Sequence, residues 1–263
     1  MIEINKVYNQ DCLEGMKNID NESIDMILCD LPFQTTKNKW DIIIPFDKLW
    51  EQYKRIIKKN GAIVLTAQTP FDKILGCSNL EMLKYEMIWK KSKPTGFLNS
   101  KYAPLKEHEN ILVFSKSATS SNQNGMNIKY NPQGLIKIES KITKKSSYNE
   151  SKNYGGFSNK EYLVEYTNYP RSILEFESVT KTIHPTQKPI ALFEYLIKTY
   201  TNENDLVLDN CLGSGTTALA CQNTNRNFIG YELDKDYFKI IEDRVEKNRK
   251  KLEIERSNLF EKV

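Results

Sequence analysis

A short apolar run at residues 24–29 is cut off by the tetrapeptide Asp30-Leu31-Pro32-Phe33. The run has the length and β-branched content of a buried strand, and Pro32 prevents that strand from continuing within a sheet. Asp30 should therefore stand at the carboxyl end of the strand, the edge at which open α/β sheets bind their ligands. Taken alone, a strand followed by an ordinary proline turn is the simpler explanation of this stretch.

A glycine-containing turn lies far downstream, within residues 206–217. This segment predicts a short buried strand, a tight turn through Gly213 and Gly215, and a helix that begins at Thr216. Glycines in such a turn let the backbone approach a ligand closely. The segment therefore predicts a second ligand-facing turn.

An acidic residue follows this turn at a distance typical of nucleotide-binding proteins. Glu232 ends another apolar strand and lies 23 residues after Asp209. An acid at about this spacing commonly binds ribose hydroxyls in βαβ units. Ala218 occupies the place of a third glycine. Because alanine is tolerated there in dinucleotide-binding proteins, the spacing alone leaves NAD open as the ligand.

Together with the segment His184-Pro185-Thr186-Gln187-Lys188-Pro189, these two turns resemble the DNA amino-methyltransferases. That family usually has Asp-Pro-Pro-Tyr at the catalytic turn, and the order of catalytic motif first and cofactor motif last is that of its permuted β class. The resemblance extends from about Tyr8 to Val245, with a poorly matched middle. It implies an α/β, Rossmann-like methyltransferase sheet, mostly parallel with one antiparallel strand, helices on both faces and an inserted target-recognition region.

The resemblance also implies how the catalytic turn would work. An exocyclic amino group is a poor nucleophile because its lone pair is delocalised into the base. The carboxylate of Asp30 and the carbonyl of Leu31 would accept the two amino hydrogens, which localises the lone pair for direct methyl transfer. Phe33 would stack on the base, a role that needs no hydroxyl. Leu31 replaces the first proline of the family and keeps the required carbonyl, so this departure affects only the rigidity of the loop that also contains Pro32.

The implied cofactor is S-adenosyl-L-methionine. Its expected contacts are Asp11, Cys12, Asp30, Lys188, Asp209, Gly213, Gly215, Thr216, Thr217 and Glu232, with Glu232 on the ribose hydroxyls. The free amino end of the helix at Thr216 would suit the methionine carboxylate. Structural alternatives exist for several of these: Thr216 is an ordinary first residue of a helix, Lys188 precedes a predicted helix, and Asp11 suits a helix N-cap.

The resemblance leaves the substrate partly open. Asp at the first position of the tetrapeptide is typical of adenine enzymes, so adenine N6 is the expected target and cytosine N4 the alternative. RNA and protein glutamine are disfavoured, because the related enzymes that modify them carry the cofactor motif first. A catalytically inactive DNA-binding relative and a nicotinamide dehydrogenase are the remaining alternatives.

The chain divides by composition into three predicted segments. Residues 1–115 and 183–263 would form the catalytic and cofactor-binding halves of one methyltransferase domain. Residues 116–182, rich in Asn, Ser, Lys, Tyr and Gly, would be the target-recognition insert. This insert contains ten basic and six acidic residues, an excess equal to the whole net charge of +4. Its basic and polar cluster suits phosphates and base edges, although a solvated loop is the plain alternative. The cluster comprises Lys141, Lys144, Lys145, Ser146, Ser147 and Tyr148.

Expected partners follow from the same interpretation. Double-stranded DNA is the expected substrate, and candidate partners are a second copy of the chain and a restriction endonuclease that cuts the same site. Five cysteines without Cys-x-x-Cys spacing and two histidines argue against a zinc cluster and predict buried, reduced thiols. Without a signal segment or a membrane-spanning apolar run, the sequence predicts a cytoplasmic protein with no membrane partner.

Regular elements are predicted wherever apolar periodicity is clear. Helices are expected at residues 46–58, 190–200, 217–222 and 235–256, and strands at 3–8, 24–29, 61–65, 85–89, 111–114, 206–208 and 227–232. Residues 90–109 are expected to form an irregular crossover, and residues 34–41 an active-site loop.

Overall fold

An eight-stranded sheet organises most of the chain in a computed structural model that describes residues 2–34, 41–119, 126–145 and 161–260. The strands are β1 (Lys6–Tyr8), β2 (Ile24–Asp30), β3 (Ile57–Ala67), β4 (Leu83–Thr95), β5 (Lys106–Phe114), β6 (Ile136–Lys145), β7 (Glu161–Thr167), β8 (Ile173–Phe176), β9 (Leu206–Asp209) and β10 (Asn227–Tyr231). The helices are α1 (Cys12–Met16), α2 (Phe46–Ile56), α3 (Phe71–Cys77), α4 (Ile190–Tyr200), α5 (Thr216–Asn223) and α6 (Lys235–Phe260).

The strand order in the main sheet is β1-β10-β9-β2-β3-β5-β4-β8. β5 pairs antiparallel with both of its neighbours, and the other pairs are parallel. The expected sheet with one antiparallel strand is therefore confirmed. From the adjacent strands β2 and β9 the chain proceeds in opposite directions, to β3 and to β10. This reversal creates a crevice at their carboxyl ends, where open α/β sheets bind ligands.

The two faces of the sheet are covered by different helices. In β2, Met26 and Leu28 belong to a buried cluster with Leu196 of α4, whereas Ile27 and Cys29 belong to a cluster with Tyr53 of α2. All four side chains are fully buried. Because the strand is buried on both faces, its sequence is a continuous apolar run rather than an alternating one.

Several element boundaries differ from the sequence-based expectation. The β4–β5 hairpin is longer than the two predicted strands: Lys90 lies opposite His108 and Thr95 opposite Lys106, with an irregular register between them and no apolar pattern to mark the extension. The helix predicted to end at residue 58 ends at Ile56, and β3 follows it at once. The short helix α3 and the four-residue strand β8 were not predicted.

A second compact unit comprises residues 132–171. In this unit β6 and β7 pair antiparallel, from Ile136 opposite Thr167 to Lys145 opposite Glu161. β8 lies within the predicted 116–182 insert but pairs with β4 in the main sheet. The predicted polar residues Ser146, Ser147 and Tyr148 lie outside the described residues, as do residues 35–40 of the predicted active-site loop.

The cysteines are all free thiols, but they are not all buried. Cys12, Cys29 and Cys221 are buried, whereas Cys77, the last residue of α3, is exposed to solvent. Within the described part of the chain, no three His, Cys, Asp or Glu side chains are grouped so as to hold a metal ion. None of the described helices combines the length and apolar character needed to cross a membrane.

Candidate active site

Three acidic side chains meet at the crevice between β2 and β9. Asp30 and Asp209 end their strands, and Glu232 directly follows β10. Each acid lies two or four residues after an apolar residue that packs in the core beneath α4 and α5. Because alternate residues of a strand point to the same face, the three carboxylates share that face of the sheet. Those apolar residues are Leu28, Val207 and Phe228.

These acids line one cavity of about 330 Å³. Both predicted turns and the 184–188 segment contribute to its wall. Most of the predicted site residues line it, namely Asp11, Cys12, Asp30, Leu31, Pro32, Phe33, Lys188, Asp209, Gly213, Thr216, Thr217 and Glu232. Gly215 is not in the wall. It adopts a left-handed φ of 80° at the start of α5, where an added Cβ would lie 3.0 Å from Ile241 of α6.

Both carboxylate oxygens of Asp30 accept hydrogen bonds from buried side chains. Thr66 Oγ1 donates to Oδ1 over 2.5 Å, and Lys188 Nζ donates to Oδ2 over 2.5 Å. Burial raises the pKa of Asp30, and the ammonium of Lys188 opposes that rise. The bond to Thr66 spans the parallel pair β2–β3, in which Asp30 lies opposite Thr66. The carboxylate is therefore fixed in orientation before any ligand binds.

A chain of alternating charges extends from Asp30 into the protein. Lys188 Nζ lies 3.2 Å from Glu109 Oε2, and Lys91 Nζ lies 2.6 Å from Glu109 Oε1. Burial opposes ionisation of Lys188, but Asp30 and Glu109 outweigh it and raise the pKa of Lys188. Burial likewise opposes ionisation of Glu109, and the two lysines outweigh it and lower the pKa of Glu109. The ion pairs therefore favour the charged forms of Lys188 and Glu109, and Lys188 links the carboxylates of Asp30 and Glu109.

No local sequence pattern predicts this network. Lys188 lines the cavity in which the cofactor is expected, and its Nζ also contacts the carboxylate of Asp30. Lys91 and Glu109 were not assigned a role, although the sequence contains a sign of their burial: Lys91 is in phase with the buried Met87 and Trp89 of β4. A charged residue that continues a buried alternation needs a charged partner.

Glu232 closes the glycine turn through its carboxylate. Its Oε2 accepts the backbone N–H of Gly213 over 2.7 Å, and its Oε1 accepts that of Asp234 over 2.8 Å. Gly213 has a φ of 54°, a left-handed conformation that glycine adopts without steric cost. Burial raises the pKa of Glu232. Each oxygen retains a second lone pair for a ligand hydroxyl.

Asp209 and the threonines of α5 form hydrogen bonds within the protein. Asp209 accepts from the backbone N–H of Cys211 over 3.0 Å and from Thr217 Oγ1 over 2.5 Å. Burial raises the pKa of Asp209 to about 6. Thr216 Oγ1 donates to the carbonyl of Lys188 over 3.3 Å. These contacts attach the turn to α5 and to the 184–188 segment.

Phe33 and Asp11 combine a structural contact with a place in the cavity wall. The Phe33 ring lies against Phe71, with centroids 4.9 Å apart, and this contact orients the ring. Asp11 caps α1 by accepting the backbone N–H groups of Leu13 and Glu14, over 2.9 and 3.1 Å. The helix-cap interpretation of Asp11 is thus confirmed. Asp11 also lines the cavity, which is compatible with its predicted contact with the cofactor.

His184 is buried beside the glycine turn. Its ring packs on Tyr237 with centroids 4.4 Å apart, and its Nδ1 lies 3.1 Å from Thr186 Oγ1. Burial, with the charge of Lys188 adding to it, lowers the pKa of His184 to about 4. The ring is therefore neutral at physiological pH and supports the turn as a packing element.

A family model described as DNA methylase matches residues 24–243 of the chain. Type II methyltransferase M1.MboII of Moraxella bovis is 29% identical over 252 residues, covering 90% of this chain and 95% of that protein. DNA adenine methyltransferase YhdJ of Escherichia coli K12 is 29% identical over 257 residues, covering 90% of this chain and 81% of the relative.

Solved structures agree with these sequence similarities. The M1.HpyAVI–SAM complex has a TM-score of 0.59 at 27% identity and covers 91% of this chain and 98% of its own. The cytosine-N4-specific PvuII DNA methyltransferase has a TM-score of 0.65 at 16% identity, over 93% of this chain and 91% of its own, and this likeness concerns the fold.

Proposed function

The chain belongs to the DNA methylase family whose model matches residues 24–243, and from that premise we propose that it methylates N6 of adenine in double-stranded DNA. As a member of this family it is an S-adenosylmethionine-dependent DNA methyltransferase that modifies an exocyclic amino nitrogen, either N6 of adenine or N4 of cytosine. The choice of adenine and the roles of individual residues are the proposed part.

One observation carries the proposal. Asp30, Gly213 and Glu232 line the same cavity, although they come from opposite ends of the sequence. The same cavity would therefore hold a hydrogen-bond acceptor for an amino group and a binding surface for a nucleoside-like cofactor. This is the arrangement that direct methyl transfer requires, because donor and acceptor atoms must be held in contact and in line.

Asp30 is suited to accept an amino hydrogen. Among the described residues, each of its oxygens has one protein donor, and a carboxylate oxygen can accept two hydrogen bonds. The neighbouring ammonium of Lys188 favours the ionised carboxylate, which can accept but cannot donate. The carbonyl of Leu31 would accept the second amino hydrogen, and Asp30 would stabilise the positive charge that develops on nitrogen.

The cavity fits S-adenosylmethionine on the chemistry of its wall. The second lone pairs of the Glu232 carboxylate can accept ribose hydroxyls, and the left-handed Gly213 allows a close backbone approach. Asp11, Cys12, Asp209, Thr216, Thr217 and Lys188 complete the proposed contact set. The N-terminal amides of α5 suit the methionine carboxylate. When bound, the cofactor supplies an electrophilic methyl group.

Two observations favour adenine over cytosine. The first residue of the catalytic tetrapeptide is an aspartate, which is typical of the adenine enzymes of the family. One of the relatives is named a DNA adenine methyltransferase. Cytosine N4 is the second candidate, because the same pair of acceptors can hold either amino group and the PvuII enzyme shares the fold.

The DNA contacts of this proposal require the base to leave the duplex. An amino group inside a base pair cannot reach Asp30, so the target base would be flipped into the cavity and stacked on Phe33. Residues 116–182 would read the sequence in the major groove. A restriction endonuclease specific for the same site is a proposed functional partner, since several relatives are type II methyltransferases. A homodimer and a cytoplasmic location complete the proposal.

The product decides between the two bases. The protein is incubated with duplex DNA and S-adenosylmethionine carrying a deuterated methyl group, and the DNA is digested to nucleosides for mass spectrometry. We expect labelled N6-methyldeoxyadenosine with the wild type and none with Asp30→Ala. Labelled N4-methyldeoxycytidine as the sole product would refute the adenine assignment. Calorimetry with S-adenosylmethionine and with NAD tests the inactive-relative and dehydrogenase alternatives.

A further inference from the structure

The end of the β4–β5 hairpin projects beyond the catalytic edge of the sheet. β4 is parallel to β2, so Thr95 at its carboxyl end lies on the same edge as Asp30. Asp30 pairs with Thr66 of β3, and Met87 of β4 lies in the same row across the sheet, because Thr66 and Met87 both pair with Ile111 of β5. Thr95 is eight residues further along β4, but its partner Lys106 is only five residues from Ile111, so the paired hairpin extends about 15–17 Å past this level at the usual rise per residue. We call residues 92–106 the β4–β5 arm.

The tip of this arm is an ordered turn that presents apolar side chains to solvent. Phe97, Leu98 and Tyr102 are 72%, 98% and 88% exposed. Backbone hydrogen bonds from Asn99 to Gly96 and from Tyr102 to Asn99 define the turn, and Gly96 supplies a φ of 92°. An ordered element that holds three large apolar side chains in water indicates a contact surface.

The charge of the arm points to a polyanion. Residues 92–106 contain Lys93, Lys101 and Lys106 and no acidic residue. All three lysines are exposed. In the whole chain, by contrast, basic and acidic residues are nearly balanced, with 38 basic and 34 acidic residues. A second copy of this chain carries a net charge of +4, whereas DNA offers a continuous line of phosphates.

We propose that the β4–β5 arm binds the DNA duplex beside the flipped target base, with its lysines on phosphates and Phe97 and Leu98 against the exposed base stack. The inference rests on the proposed function, because it requires a duplex as substrate. Extruding a base costs stacking energy, and apolar side chains inserted next to the gap recover part of it. The position of the arm, at the edge that holds Asp30 and reaching past it, meets this need.

The lysines are tested by the salt dependence of binding. The variant Lys93→Ala/Lys101→Ala/Lys106→Ala is titrated with a duplex containing the recognition site, in the presence of the non-reactive cofactor product S-adenosylhomocysteine. Each lost phosphate contact should reduce the slope of log K against log salt by about 0.9. The matched control is Lys247→Ala/Lys250→Ala/Lys251→Ala on α6, which packs beside β1 at the opposite edge of the sheet. We expect its slope to be unchanged.

The apolar tip is tested by base extrusion. Phe97→Ser/Leu98→Ser should weaken duplex binding roughly tenfold with an unchanged salt slope, the scale of one lost stacking contact. It should also reduce the fluorescence gain of 2-aminopurine placed at the target position. Leu80→Ser is the matched control, since Leu80 is 65% exposed and lies outside the arm. Calorimetric binding of S-adenosylmethionine should be normal in all variants, which shows that they are folded.

The outcomes separate this inference from the proposed function. If the wild type methylates DNA and both arm variants bind duplex like their controls, the arm inference is wrong and the proposed function stands. If the variants change the sedimentation coefficient and leave DNA affinity intact, the arm joins two copies of the chain and the inference is again wrong. If the wild type methylates neither base, the proposed function itself fails.

Discussion

At the scale of single residues, the site depends on how Lys188 and Asp30 meet. They are 158 residues apart in sequence, and their contact exists because β2 and the segment before α4 converge on one face of the sheet. Local patterns identified Asp30 at a strand end and Lys188 near the site. They could not identify the contact between the two side chains, because a local pattern contains no information on which distant residues pack together.

Replacing Lys188 by methionine tests whether Lys188 positions the carboxylate of Asp30 and favours its ionised form. Without the ammonium, only the hydrogen bond from Thr66 still opposes the effect of burial, so the pKa of Asp30 should rise further. The acid limb of the pH–kcat profile should therefore move to higher pH, and kcat at neutral pH should fall by about 100-fold or more. Lys188→Arg, which keeps the charge, should leave the acid limb near its wild-type position.

A structural role alone would give a different result. If Lys188→Met lowered the thermal midpoint but left the pH profile of the remaining activity in place, Lys188 would stabilise the fold without acting on Asp30. Glu109 keeps Lys91 as a partner in this variant, so the protein should fold.

His184 should make stability depend on pH in a defined window. Its pKa is about 4 in the folded protein and near the ordinary value of 6.5 in the unfolded chain. Between these values the unfolded chain binds more protons, so the contribution of His184 is complete above pH 6.5 and is lost as pH falls towards 4. We expect the thermal midpoint, followed by circular dichroism, to fall more steeply between pH 7 and pH 4.5 in the wild type than in His184→Gln. Parallel curves would refute this.

At the scale of secondary structure, the buried helices and strands were predicted more accurately from the sequence than the exposed ones. Strands β2, β9 and β10 and helix α4 were predicted closely, because each has a continuous or periodic apolar pattern with a clear end. The outer half of the β4–β5 hairpin was predicted as an irregular crossover, because most of its residues are exposed and no apolar alternation marks its strands. The short elements α3 and β8 obtain their stability from neighbouring strands rather than from their own sequence.

Helix α1 provides a test of close packing between elements. An added Cβ at Gly15 would lie 2.5 Å from Gln10 Nε2 and 2.7 Å from Cζ of the buried Tyr231 on β10. Gly15→Ala should therefore destabilise the protein by about 1–3 kcal/mol, although alanine is the better helix former. Glu14→Ala, at the exposed neighbouring position, should change stability by less than about 0.5 kcal/mol. Urea denaturation of both variants makes the comparison, and equal stabilities would contradict the packing described for α1.

At the scale of the whole molecule, the fold class and the clustering of most site residues could be predicted from the sequence. Two motifs at the carboxyl ends of parallel strands must lie at one edge of the sheet, and their order along the chain fixed the permuted arrangement. The compact unit at residues 132–171 and the reach of the β4–β5 arm could not be predicted. Both consist largely of polar residues, so no apolar periodicity defines them.

The central claim is that Asp30 faces a methyl donor held by the glycine turn. A crystal structure of the protein with S-adenosylmethionine tests it most directly. We predict the adenosine on the wall formed by Gly213 and Glu232, with the sulfonium methyl group directed to the space beside the Asp30 carboxylate. A donor bound outside this cavity, or one whose methyl group Asp30 cannot approach across a bound amino group, would contradict the account.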